Sequence, residues 1–216
     1  MEKKKSPKYT LGEEIVNAIT HGVGALFGIV ALVLTIIFSV KNHNTIGLVS
    51  SIIYGVSMIF MFTTSCIYHA LSPNIKGKKV MRIIDHCDIY IFIAGCYTPF
   101  CLSTIGGSTG WIIFGINWAC AIIGIILNSI NLEKFKVPAF LIYLIMGWMI
   151  VFSFKSLSAN LAPMGIKLLL LGGIVYTLGA VFYLIGSKKR YIHSVFHVFV
   201  LLGAITQFLS ILLYSL

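Results

Sequence analysis

The sequence is poor in charged residues, and most of those that it has are basic. Only 10% of the 216 residues are Asp, Glu, Lys or Arg, only 6 are acidic, and 58% are hydrophobic. Soluble domains carry about 25% charged residues on average. This shortage excludes an ordinary soluble globular protein and predicts a chain that folds within lipid.

The sequence also lacks the marks of a disulfide scaffold, a thiolate metal site or a cleaved leader. An N-terminal signal peptide is not expected, because polar residues from Glu13 to His21 interrupt the first apolar run. We find no linker, low-complexity segment or internal repeat. The 5 cysteines have no CxxC spacing and lie mostly in apolar segments, where a thiol behaves as a small hydrophobe: Cys66, Cys87, Cys96, Cys101 and Cys120.

What the sequence does contain is a series of uncharged apolar stretches of about 20 residues, the length that crosses a bilayer. The stretch from Ile89 to Leu132 has no charge and is too long for one span, so its Gly-rich segment Ser103–Gly110 is predicted as a turn. The sequence predicts an all-α integral membrane protein of seven transmembrane helices in a single domain, 1–216. The predicted spans lie near Ile15–Val40, Ile46–Leu71, Val80–Ser103, Gly110–Ile130, Val137–Phe154, Met164–Ser187 and Tyr191–Tyr214.

The Lys and Arg residues are divided unevenly between the two sides of these spans. One side, which includes the N-terminal segment 1–13, carries 13 of the 16, and the other carries Lys41, Lys155 and Lys167. Because cytoplasmic loops are enriched in Lys and Arg, we predict a cytoplasmic N-terminus and an outside C-terminus, in the cell membrane. The net charge of +10 does not predict nucleic-acid binding, since the basic residues form short runs between spans.

The acidic residues and histidines within the predicted spans all lie near their inner ends. His69 ends span two, Asp85 begins span three, and His193 and His197 begin span seven. A spacing of four residues places the imidazoles of His193 and His197 on one helix face. Three histidines with a fourth position left for water are typical of a catalytic zinc site. The sequence therefore predicts a metal site at this depth.

Asp85 has two interpretations that are compatible with each other. It can form an ion pair with Arg82 one turn earlier, or it can lie next to the metal and bind its water. Asp88 lies on a similar face and replaces Asp85 if that residue points away. His86 points about 100 degrees around the helix and is not an expected ligand.

Other polar residues are expected to support the site. The hydroxyl of Ser65, one turn before the histidine that ends span two, can bond the metal's water, the substrate or a carbonyl of its own helix. Glu14, Asn17 and His21 form a polar stripe in span one that is expected to orient the ligands or cap neighbouring helices. Glu13 is expected to face the headgroup layer.

Four motifs, taken together, are similar to those of a known family. They read NAITH, SCIYH, DHCDIYIFIAGCYTP and HSVFH, at Asn17–His21, Ser65–His69, Asp85–Pro99 and His193–His197. In this order the chain resembles the bacterial haemolysin III proteins, which belong with the progestin and adipoQ receptors and, more distantly, with the alkaline ceramidases. The resemblance covers essentially all 216 residues.

The resemblance implies a Zn²⁺ ion held by His69, His193 and His197, with Asp85 contacting a zinc-bound water and Ser65 nearby. Family members include receptors and proteins that look like lipid amide hydrolases. The bacterial branch is named for a haemolytic activity. Fold and metal site are therefore expected to transfer better than function.

Three functions are compatible with these residues. The first is a zinc-dependent hydrolase of a lipid amide or ester, with Asp85 as general base. The second is a non-catalytic regulator of membrane lipid homeostasis in which zinc is structural, and the third is a pore-forming haemolysin. A pore needs polar lining through both leaflets, whereas the outer halves of the predicted spans hold no acidic residue and no histidine. The hydrolase is the main expectation, and a membrane lipid is the expected substrate or ligand.

Overall fold

The structure, a computed structural model, describes residues 9–186 and 189–216. It is 88% helical, and this part of the chain contains no strand. Seven helical segments are long and apolar enough to span a membrane, which confirms the predicted fold class. The side on which the N-terminus lies stays a prediction. The helices are α1 (Leu11–Lys41), α2 (Thr45–Ala70), α3 (Gly77–Pro99), α4 (Gly107–Asn131), α5 (Lys136–Gly147), α6 (Phe154–Asn160), α7 (Pro163–Ile185) and α8 (Ile192–Tyr214).

The distribution of side chains between surface and interior is that of a membrane protein. Large apolar residues such as Ile19, Leu26 and Ile130 are exposed on the outer faces of the helices. Polar residues such as Asn17, Ser39 and Asn117 are fully buried between the helices. In lipid the exposed apolar face is solvated by acyl chains, so it carries no penalty. Asn17 and Ser39 find hydrogen-bond partners inside the bundle, in Ser194 and Ser51.

Neighbouring helices pack in the order α7, α8, α1, α2, α3, α4, α5. Close packing of α1 on α2 depends on small residues, because a Cβ atom added at Gly24 would lie 2.3 Å from the Phe62 ring. The two ends of the series, α5 and α7, do not pack closely on each other, and both line a cavity. The bundle therefore has a cavity between α3, α5, α7 and α8.

The start of α1 differs from the prediction. Thr10 and Glu13 form a capping box, so the helix begins at Leu11 rather than at Ile15. The expectation that Glu13 faces the headgroups is wrong, because its side chain is buried and its Oε1 accepts a 2.8 Å hydrogen bond from the Tyr191 backbone N–H. This bond ties the start of α8 to the start of α1. Residues 1–8 of the predicted N-terminal segment and Ser187, the predicted end of span six, lie outside the described residues.

The predicted turn between spans three and four is present but shorter than expected. The helix continues through Pro99 into a π-helical turn, Phe100–Ile105, so that span three extends over Gly77–Ile105. Gly106 and Gly107 then reverse the chain with φ angles of 62° and 52°. Residues with a Cβ atom rarely adopt this left-handed conformation, which explains the glycine pair.

The fifth span is longer than predicted, and it is interrupted. It extends over Lys136–Asn160, and a 3₁₀ segment, Met149–Ser153, separates α5 from α6. The Tyr97 hydroxyl of α3 donates a 2.6 Å hydrogen bond to the Gly147 carbonyl and accepts one of 3.3 Å from the Ile150 N–H. A side chain inserted into the backbone ladder is a known cause of such breaks. The break therefore follows from a partner on another helix.

Candidate metal centre

The three histidines that the sequence predicts as metal ligands lie together at one end of the bundle. His69 comes from the last turn of α2, and His193 and His197 come from the first two turns of α8. All three side chains are buried, and one ligand atom of each lies within 4.8 Å of the others. The structure thus brings together a group of three histidines that could hold a metal ion.

The geometry of His193 and His197 suits a shared ion. Their Nε2 atoms are 3.1 Å apart. Two imidazole ligands of one tetrahedral zinc ion, each about 2.0–2.1 Å from the metal, have nitrogens roughly 3.3 Å apart. The same spacing also suits a hydrogen bond between a protonated and an unprotonated nitrogen, which is the alternative without a metal.

His69 is held by a hydrogen-bond network that orients its ring toward the group. Its Nδ1 is 2.6 Å from Glu14 Oε2 and 3.4 Å from Asn17 Nδ2, while its Nε2 is buried without a hydrogen-bond partner among the described residues. Ser194 donates a 2.6 Å hydrogen bond to Asn17 Oδ1. A carboxylate on one imidazole nitrogen with the other left free is the usual arrangement behind a metal-ligating histidine. The residues therefore fit a metal ion.

Lys78 also belongs to this network, although in the sequence the basic residues predict only the membrane orientation. Lys78, at the start of α3, donates to Glu14 Oε1 at 2.6 Å and to the Leu71 carbonyl at 2.8 Å. The Lys78 and Glu14 side chains are each only 11% exposed. Glu14 thus joins α1, α2 and α3 at the depth of the histidines. No pattern in the sequence distinguishes Lys78 from the neighbouring exposed lysines.

Two aromatic rings enclose the histidine group. The His21 ring of α1 stacks on His197 with centroids 3.7 Å apart and meets Phe62 edge to face. Tyr9, within the segment predicted as an N-terminal extension, is buried and stacks on His193 at 4.8 Å. Burial raises the pKa of the Tyr9 hydroxyl well above its usual range, so it stays neutral. Tyr9 was missed from the sequence because it precedes the first apolar run.

The predicted catalytic residues Asp85 and Ser65 face a cavity that His193 and His197 also line. The Ser65 hydroxyl lies near the Asp85 carboxylate. The Asp85 side chain is 14% exposed, and its Oδ2 lies 3.4 Å from His86 Nδ1. A carboxylate, a hydroxyl and two imidazoles therefore share one accessible space. We refer to this space as the chain cavity.

The predicted Asp85–Arg82 ion pair is not found in the described part of the chain. The Arg82 guanidinium extends toward α4 instead and donates a 2.6 Å hydrogen bond to Glu133. Asp88, the predicted substitute for Asp85, turns away and accepts a hydrogen bond from the Thr64 hydroxyl. His86 lies outside the histidine group, as expected from its position on the helix.

Away from the histidines, the chain cavity is apolar and follows the helix axes. Its volume is about 160 Å³. On α3 its lining extends from Asp85 to Tyr97, a rise of about 18 Å along the helix. Its far end is bounded by Trp148 and Gln207. The cavity is therefore polar at the histidine group and mostly apolar along the rest of its length.

Comparisons with known proteins agree with the fold and with the motifs. Residues 9–208 match the family model described as Haemolysin-III related. The chain is 42% identical over 204 residues to "Hemolysin-3" of Bacillus cereus, covering 94% of this chain and 92% of that protein. It is 40% identical over 206 residues to "Hemolysin-3 homolog" of Bacillus subtilis (strain 168), covering 95% and 96%.

A more distant human relative extends the match beyond bacteria. It is "Monocyte to macrophage differentiation factor" of Homo sapiens, 27% identical over 218 residues, which cover 94% of this chain and 85% of the relative. The bacterial relatives are covered over nearly their whole length, and seven apolar helices are present. The chain therefore belongs to the haemolysin III family of multi-pass membrane proteins.

Proposed function

We propose that this protein is a zinc-dependent hydrolase that acts on an amide or ester of a membrane lipid. The observation that carries the proposal is the chain cavity, where two of the three grouped histidines share one space with Asp85 and Ser65. A purely structural metal would need no such space. An apolar cavity about 18 Å long beside polar groups suits a lipid whose scissile bond lies at the histidines.

Each residue has a definite part in the proposed reaction. His69, His193 and His197 would hold the zinc ion, which supplies Lewis acidity and lowers the pKa of a water molecule in the open position. The Asp85 carboxylate accepts a proton from the attacking water and returns it to the leaving group. Ser65 donates a hydrogen bond that keeps the carboxylate directed at the reacting atoms. The apolar walls hold the chain and exclude bulk water.

The other two functions receive less support. An aqueous pore needs a polar path through both leaflets, whereas the chain cavity has mostly apolar walls beyond the histidine group. A regulator with a structural metal predicts a closed site, whereas His193 and His197 border the cavity. Both of these features of the cavity favour a site that admits a ligand.

The proposal is tested by measuring fatty-acid release from N-acyl and O-acyl lipids with detergent-purified, zinc-loaded protein. We expect release that a zinc chelator abolishes and that His197→Asn reduces to background. The matched control is His43→Asn, since His43 lies in the first loop and Asn tolerates its left-handed φ of 52°. Release that persists in the chelator or in His197→Asn would contradict a metal-dependent hydrolase.

A further inference from the structure

A second cavity lies at the same end of the bundle, between α3, α4, α5 and α7. Its volume is about 300 Å³, and its lining includes Arg82, Asn128, Glu133 and Lys136. His86 and Tyr183 line both this space and the chain cavity, so the two adjoin. We call the second space the polar vestibule. On α3 its lining residues are Arg82 and His86, at the end of the stretch from Asp85 to Tyr97 that lines the chain cavity.

The boundary between the two cavities is built from fixed polar groups. The His86 carbonyl accepts hydrogen bonds from the Tyr143 hydroxyl at 2.6 Å and from Asn128 Nδ2 at 3.1 Å. The His86 ring bonds through Nδ1 to the Arg82 carbonyl at 2.8 Å, and its Nε2 lies 3.5 Å from the Tyr183 hydroxyl. A ligand that crosses this boundary meets positioned hydrogen-bonding groups rather than mobile side chains.

The vestibule holds two cations, Arg82 and Lys136, against one anion, Glu133. The Arg82–Glu133 pair is solvent-accessible, with side chains 34% and 70% exposed, and such pairs hold weakly. Arg82 Nε is buried and has no hydrogen-bond partner in the described part of the chain. Because Nε is inaccessible, an incoming phosphate or carboxylate would meet the Nη groups, where it would compete with Glu133.

We propose that the polar vestibule binds the oxyanion of an amphiphile, a phosphate or carboxylate, whose hydrocarbon chain occupies the chain cavity. Arg82 receives the oxyanion through its Nη groups in place of Glu133, and Lys136 adds a second positive charge at the mouth. Because the two cavities adjoin at His86, the residue after Asp85, the bond between chain and headgroup would lie near Asp85 and the grouped histidines. This inference rests on the proposed function, because it assigns a headgroup class to the same substrate.

Binding is measured through Trp148, which lines the chain cavity. The chain has 3 tryptophans, so Trp111→Phe and Trp118→Phe leave Trp148 as the sole emitter. The probes are a monoacylglycerol phosphate and a monoacylglycerol that carry the same brominated chain and differ only in the phosphate. Bromine quenches tryptophan fluorescence on contact, so quenching reports that the chain lies in the cavity. The readout needs no turnover and no metal.

We expect the phosphate-bearing lipid to half-saturate quenching at a concentration about tenfold lower than the neutral lipid, because only it pairs with Arg82. Arg82→Gln is expected to remove this preference, so that the two lipids half-saturate quenching at similar concentrations. Lys79→Gln is the matched control, since it removes the same charge from an exposed residue at the same end of the protein. Lys136→Gln is a second test at an exposed position, where loss of folding is not expected, and it should reduce the preference.

Equal quenching by the two lipids, or a preference that survives both Arg82→Gln and Lys136→Gln, would overturn the assignment. Displacement of the lipid by inorganic phosphate at millimolar concentration would assign the vestibule to free phosphate and overturn the lipid headgroup. The binding and release measurements distinguish a failure of the vestibule proposal from a failure of the hydrolase proposal. A phosphate preference without fatty-acid release would keep the vestibule and remove the hydrolase, and release without a preference would do the reverse.

Discussion

Replacing Asp85 with Asn is expected to lower the rate of lipid hydrolysis by about 10²- to 10⁴-fold while zinc stays bound, because a positioned general base contributes that much. The amide keeps the shape of the side chain but cannot accept the proton of the attacking water. None of the three grouped histidines is changed, so the metal site persists. Single-turnover hydrolysis and zinc content, measured on the same preparation, separate the two effects.

Asp88→Asn is the matched control for this prediction. Asp88 lies one turn further along α3, is 1% exposed and accepts a hydrogen bond from Thr64, but it does not line the chain cavity. It should keep the hydrolysis rate of the unchanged protein. Equal rate losses in Asp85→Asn and Asp88→Asn would indicate a general effect of removing a buried carboxylate. Full activity in Asp85→Asn would remove the proposed base.

Replacing Glu14 with Gln is expected to weaken zinc binding about 10- to 100-fold, the usual effect of losing a group behind a metal-ligating histidine. Glu14 accepts hydrogen bonds from the His69 ring and from Lys78, each at 2.6 Å. A neutral amide makes the His69 nitrogen less basic and leaves the buried Lys78 cation without its carboxylate. Competition with a chelator of known zinc affinity measures the change in Kd.

Glu13→Gln provides the comparison for Glu14→Gln. The neighbouring carboxylate bonds Thr10 and the Tyr191 backbone N–H, and its hydrogen bonds do not extend to His69. Glutamine at this position preserves the capping box, so α1 should still begin at Leu11. Unchanged zinc affinity in Glu14→Gln, or an equal loss in Glu13→Gln, would show that the carboxylate on His69 does not tune the site.

The spans and the depth of the site could be predicted from the sequence because the bilayer constrains the chain along a single direction, the membrane normal. The length of each uncharged run and the distribution of Lys and Arg predict seven helices with small errors at their ends. Ionisable residues avoid the bilayer centre, so their positions along the spans place His69, Asp85, His193 and His197 in one layer. The contacts between side chains within that layer do not follow from their depth alone.

What the sequence does not reveal depends on how each helix is rotated and packed. Glu13 and Glu14 are neighbours in sequence, yet Glu13 caps a helix and Glu14 holds His69. Arg82 is one turn from Asp85, but its guanidinium reaches Glu133 in the loop after α4. The break in the fifth span arises from the Tyr97 hydroxyl of α3. Each outcome is decided by a partner distant in sequence, which periodicity along one helix does not encode.

The most direct test of the account is metal content, measured by mass spectrometry on detergent-purified protein beside the double variant His193→Ala, His197→Ala. We predict about one zinc per chain in the unchanged protein, as for a three-histidine site, and none in the variant. Unchanged protein that holds no metal after zinc is supplied would contradict the account. The 3.1 Å contact between His193 and His197 would then be a hydrogen bond between imidazoles.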